Sequence, residues 1–86
     1  MIPAPILDFR LSLGAMRRFK KQTGIDLRSA DPKDIETQVS LIWAGIAHKY
    51  PGMTVDDVAE LIDMSNYREI NEFVEKQSQE ADVKNP

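Results

Sequence analysis

The chain has 86 residues, 42% hydrophobic and 29% charged, which bounds it as one domain around one modest core. It has no cysteine and a single histidine, His48, which excludes disulfides, a thiol nucleophile, thiolate metal sites and paired-histidine metal motifs. The net charge of −3 is unevenly divided: residues 1–28 carry six bases and two acids, residues 29–86 five bases and twelve acids, a polarity that suits head-to-tail contact between copies or a charge-matched partner.

Along the chain, Leu7, Phe9, Leu11 and Leu13 alternate with Asp8, Arg10 and Ser12, a period of two that predicts a half-buried strand. Pro3 and Pro5 keep it from starting earlier. No second alternating run exists, so the strand is expected to pair with another copy or another protein, or to lie as an extended arm over the helices. A helix is predicted over Leu13–Thr23, capped by Ser12 and closed by Gly24. Leu13, Met16, Phe19 and Thr23 are its expected inner face, and Arg17, Arg18 and Lys21 its outer stripe, with Lys20 at the margin. Ile25 and Leu27 of the following connector are expected to tuck into the core.

The next helix carries Asp31 as its expected N-cap and Pro32 in the first position. Ile35, Val39, Ile42, Trp43, Ile46 and Tyr50 form its stripe while Leu41 and Ala44 fall on other faces, the pattern of a central helix. Pro51-Gly52 ends it. Thr54 and Asp57 resemble a capping box opening a short helix to about Ile62, and Ser65 or Asn66 starts a last one with Tyr67, Ile70, Phe73 and Val74 inward. The expected fold is mainly α: a short N-terminal strand or extended arm and about four helices in a small bundle over 1–76, then a polar, frayed tail over 77–86.

Chemistry is sparse. Asp56, Glu60 and Asp63 share one face of an ideal helix, but without the spacing of a calcium loop they read as a solvated stripe, and no metal site is expected. His48 suits the negative end of its helix dipole. The glycines form no phosphate-binding loop, so no cofactor and no enzymatic activity are expected. Trp43 reads as core first and interface anchor second. Thr54–Lys76 has the rhythm of a helix-turn-helix, yet Glu69, Glu72 and Glu75 would face phosphate, so nucleic acid is not an expected partner. No apolar run approaches the ~20 residues of a membrane span. Met1–Pro5 lacks the basic-then-apolar order of a secretory leader, so the expected place is the cytosol.

The sequence resembles the small tail assembly chaperones of long-tailed bacteriophages, from about Asp8 to Val74. The resemblance is carried by Phe9-Arg10-Leu11-Ser12-Leu13-Gly14-Ala15-Met16-Arg17-Arg18-Phe19, by Thr23-Gly24-Ile25-Asp26-Leu27, and by Leu41-Ile42-Trp43-Ala44-Gly45-Ile46-Ala47-His48 followed by Pro51, Thr54 and Val58. It implies a non-enzymatic protein of the bacterial host cytoplasm, belonging to a phage or prophage. Such a protein binds the tape measure protein and keeps it soluble while tail tube subunits polymerise around it, with the tail tube protein a further partner and a homo-oligomer the expected state. Related proteins commonly carry a strand ahead of the one seen here, which Met1–Pro5 cannot supply. Some also have a longer frameshifted form, and Val83-Lys84-Asn85 is what a slippery A-AAA-AAC heptamer would encode. On these grounds the candidate partner-binding residues are Leu7, Phe9 and Leu11 on the arm, with Arg17, Arg18 and Lys21 on the first helix. The alternatives are a small helix-turn-helix DNA-binding regulator and a structural head-tail connector component.

Overall fold

The computed structural model describes residues 1–83, with side chains as far as Ser78. Among them are five α-helices: α1 (Ala4–Leu7), α2 (Leu13–Thr23), α3 (Ile35–Ile46), α4 (Val55–Glu60) and α5 (Tyr67–Val83), with a 3-10 turn at Leu27–Ser29 between α2 and α3. The radius of gyration is 11.9 Å, matching the ~12 Å expected of a packed chain of this length. The mainly helical expectation holds. The strand does not.

No residue from Leu7 to Leu13 is in a strand. Pro5, within the first two positions of α1, presets a helical turn that the alternation pattern conceals. That turn buries Ile6 completely and leaves Leu7 54% exposed. Residues 8–12 then run as an arm over the C-terminal half of α3, so the arm alternative is the one realised. A strand needs a ladder, and none is present, so the arm finds individual partners instead. The Arg10 amide donates to the Gly45 carbonyl (3.0 Å). His48 Nε2 donates to the Asp8 carbonyl (2.9 Å), and the Asp8 carboxylate accepts from the Tyr50 hydroxyl (2.8 Å) and from Lys49 Nζ (3.2 Å). Phe9, 4% exposed, lies so close on Gly45 that a Cβ there would overlap its ring. Burying such a ring contributes about 1.5–3 kcal/mol, and the glycine is what permits it.

Helix α2 has the expected bounds and caps: Ser12 Oγ accepts the Ala15 amide, and Gly24 is left-handed at φ 76°. Its inner face is turned from the expected one. Ala15 and Phe19 are buried while Leu13 is 80% exposed, because Ala15 and Phe19 close on Ala44 of α3 in a small second core. Of the connector aliphatics, Leu27 packs on that core and Ile25 stays largely exposed.

Helix α3 is central, as its apolar residues on more than one face require. Its cap is Asp34, which accepts the Thr37 amide, and not Asp31. Asp31 instead accepts the Lys33 amide in the turn holding Pro32; Asp34 takes the cap because the chain resumes helical geometry only after that turn. Ile42 and Ile46 face the main core with Ile6, Phe9, Val58, Ile70 and Val74. Trp43 is half-buried, and its indole N–H donates to the Met53 carbonyl (2.8 Å), fastening the Pro51-Gly52 turn to α3.

The capping box at α4 is complete, with Thr54 and Asp57 each accepting the other's amide. Helix α4 stops at Glu60, short of the expected Ile62, because the buried Asn66 side chain draws the next turn inward. Its Oδ1 accepts the Asp63 amide and its Nδ2 donates to the Leu61 carbonyl. Helix α5 continues beyond the expected end near Lys76, as far as Val83. Residues 84–86, and with them most of the Val83-Lys84-Asn85 reading, lie outside the described residues.

Candidate partner-binding surface

The six candidate residues fall into different environments. Phe9 belongs to the main core, Leu11 is half-buried between the two cores, and Leu7 faces outward. The arm therefore presents no continuous apolar edge. Arg17 and Lys21 are exposed on α2 beside Lys20. Arg18 is half-buried, and its Nε donates to the Ala44 carbonyl (3.0 Å), so it ties α2 to α3. A basic surface of Arg17, Lys20 and Lys21 remains.

The acidic cluster is also divided. Asp56 and Glu60 lie on α4, whereas Asp63 sits beyond its end and accepts the Ser65 amide and hydroxyl. Those hydrogen bonds, the hydroxyl first, hold the Asp63 carboxyl below its ordinary value and keep it ionised. No group of three or more metal-ligating side chains is present among the described residues. No helix among them is long and apolar enough to cross a membrane.

A larger feature is a groove of about 540 Å³ between α3, α4 and α5. Ile35, Val39 and Ile42 of α3 form one wall, Ala59 and Ile62 of the α4 region another, and Tyr67 and Ile70 of α5 the third, with Met64 beside the opening. Ile35 is 67% and Met64 92% exposed. A second groove of about 500 Å³ lies between α3, α5 and the Leu27–Pro32 connector. The two share Gln38, Ile42 and Asn71 and therefore adjoin. Gln38 sets this seam, since its Oε1 accepts the Tyr67 hydroxyl and its Nε2 donates to the Pro32 carbonyl, both at 2.8 Å.

The sequence pattern puts Ile35, Val39, Tyr67 and Ile70 on inward stripes, which holds for the buried Ile70 and fails for the exposed Ile35, and it does not reveal the groove. Two signals were available. Helix α3 has more apolar positions than its neighbours can cover, and Met64 stands alone in a polar turn. Around α3 at ~100° per residue, Ala44 under α2 lies about 180° from Ile35 in the groove, so the basic surface of α2 and the groove are on opposite sides of the central helix.

No protein-family model matches this chain, and neither a curated protein nor a solved structure matches it.

Proposed function

We propose that this chain is a tail assembly chaperone of a long-tailed bacteriophage or prophage. In this reading it is a non-enzymatic binding protein that holds the tape measure protein soluble in the host cytoplasm while the tail tube assembles. The sequence resemblance over Asp8–Val74 suggests the role, and the observation that carries it is the open apolar groove between α3, α4 and α5. A long helical client exposes apolar stripes before assembly, and a groove between helices is the shape that covers such a stripe. Apolar side chains gathered in one open groove and rimmed by polar residues are the form of exposed surface that marks an interaction site, unlike the same residues scattered singly.

The basic surface of α2, across α3 from the groove, is left for a further copy of the chain or for the tail tube protein. Pairing between copies through Leu7–Leu13 is no part of this reading, because that segment is committed to α3. A duplex-binding role for Thr54–Lys76 lacks comparable support, since α5 carries Glu69, Glu72 and Glu75 against Arg68 and Lys76.

The test is co-expression with the tape measure protein of the same phage. A rise in its soluble yield with co-purification supports the reading. An unchanged yield with separate elution rejects it and returns the connector-component reading to the front.

A further inference from the structure

The ionised side chains that line the two grooves are both acidic. Asp63 lines the first and Glu75 the second, and neither is lined by a lysine or arginine. Asp56 and Glu60 extend the acidic surface along α4, both exposed, and among the described residues neither takes part in a salt bridge. The apolar walls are therefore bordered by an excess of acidic side chains, against which the Met1 ammonium, paired with Glu69 at 2.9 Å, acts on Asp63. Of the exposed cations of the N-terminal third, Arg17, Lys20 and Lys21 are on the far side of α3 from the groove between α3, α4 and α5, and Arg28 is paired with Asp26.

From this we infer that the groove between α3, α4 and α5 binds a basic amphipathic helix of another protein, one with an apolar stripe flanked by lysine or arginine. The inference rests on the proposed binding role and names the chemistry of the partner at that site. Apolar side chains at i, i+3 or i+4, and i+7 fill the space between Ile35, Val39, Ile62 and Ile70, and flanking cations meet Asp63, Asp56 and Glu60. A second copy of this chain is a poorer occupant. Its basic helix, α2, has already spent Ala15 and Phe19 on α3, and only the exposed Leu13 and the half-buried Met16 are left to offer.

Two synthetic helical peptides with the same apolar stripe, one flanked by lysine and one by glutamate, test this by fluorescence anisotropy. The lysine peptide is expected to bind, at least roughly tenfold tighter than the glutamate peptide, and to weaken as salt screens the acidic border. Ala59→Arg, at an exposed position of α4, and Met64→Ser are each expected to weaken it, Ala59→Arg by roughly tenfold or more, with melting temperature unchanged. Equal binding of the two peptides, binding by neither, or indifference to Ala59→Arg overturns the inference. A dimer of the free chain that Ala59→Arg dissociates also overturns it, because the groove would then be covered by a second copy. Since this assay contains no tape measure protein, peptide binding without solubilisation refutes the chaperone reading alone. Solubilisation undiminished by Ala59→Arg refutes the groove alone.

Discussion

Gly45→Ala is the sharpest perturbation of the way the arm is held. Removing a glycine from a helix gains up to about 1 kcal/mol, so propensity alone predicts a stabilised protein. The new Cβ overlaps the Phe9 ring, however, and overpacking a filled site costs about 1–3 kcal/mol. If the ring is expelled instead, about 1.5–3 kcal/mol of burial is lost. The net expectation is destabilisation of about 1–2 kcal/mol, a fall in melting temperature of roughly 5–15 °C for a domain of this size. Urea unfolding followed by Trp43 fluorescence and by circular dichroism measures it. In a Phe9→Ala background, itself costing about 3 kcal/mol or more, the same Gly45→Ala change should reverse sign and stabilise. The two changes share one contact, so non-additivity is the signature. A Gly45→Ala protein as stable as the parent, with Phe9 intact, refutes the packing described for the arm.

Thr54→Ala should cost about 1 kcal/mol by removing half of the capping box, read from the urea midpoint. Trp43→Phe keeps an aromatic side chain, though a smaller one, and leaves the Met53 carbonyl without its indole donor; it should cost about 1 kcal/mol or more, read by circular dichroism with an unchanged urea slope. Acid stability follows from Asp8, whose carboxyl is held below its ordinary 3.8 by the Tyr50 hydroxyl first and by Lys49 after it. The folded state therefore binds that proton less readily than the unfolded state, so the contribution is complete above about pH 4 and lost as pH falls through the folded value. Asp26, lowered to about 2 by Arg28, adds a loss in the same direction. A pH series of melting temperatures should fall over this range, and Asp8→Asn should lower stability at neutral pH while flattening part of the acid decline; an identical acid decline in that variant contradicts the assignment.

What was legible in the sequence was local. Ser12 and Gly24 bound α2 because a hydroxyl cap and a left-handed glycine act within one turn of the residues they serve, and Thr54 with Asp57 opened α4 for the same reason. What was not legible depended on residues far apart in the chain. The alternation from Leu7 to Leu13 fits a strand in isolation, but its backbone bonds to the Gly45 carbonyl on α3 and to the His48 ring just after it, and Pro5 sets a helical turn just ahead of it. Asp31 and Asp34 are both adequate caps, and only the path around Pro32 decides between them. Leu13 is exposed where the pattern puts it inward, and Ala15 is buried where the pattern does not place it, because a helix face cannot be fixed without knowing what covers it. The groove was hidden for a related reason: Ile35 has the same periodicity whether a neighbour covers it or leaves it 67% exposed, and the distinction arises only from how the helices around α3 are placed.

The central claim is that this chain holds a partner's helix in the groove between α3, α4 and α5. Amide NMR mapping with a soluble helical fragment of the tape measure protein tests it most directly. Shift changes concentrated at Val39, Ala59, Ile62, Tyr67 and Ile70, with Arg17 and Lys21 of α2 undisturbed, are the predicted result. Changes centred on α2, or a spectrum that does not respond to the fragment, would contradict it.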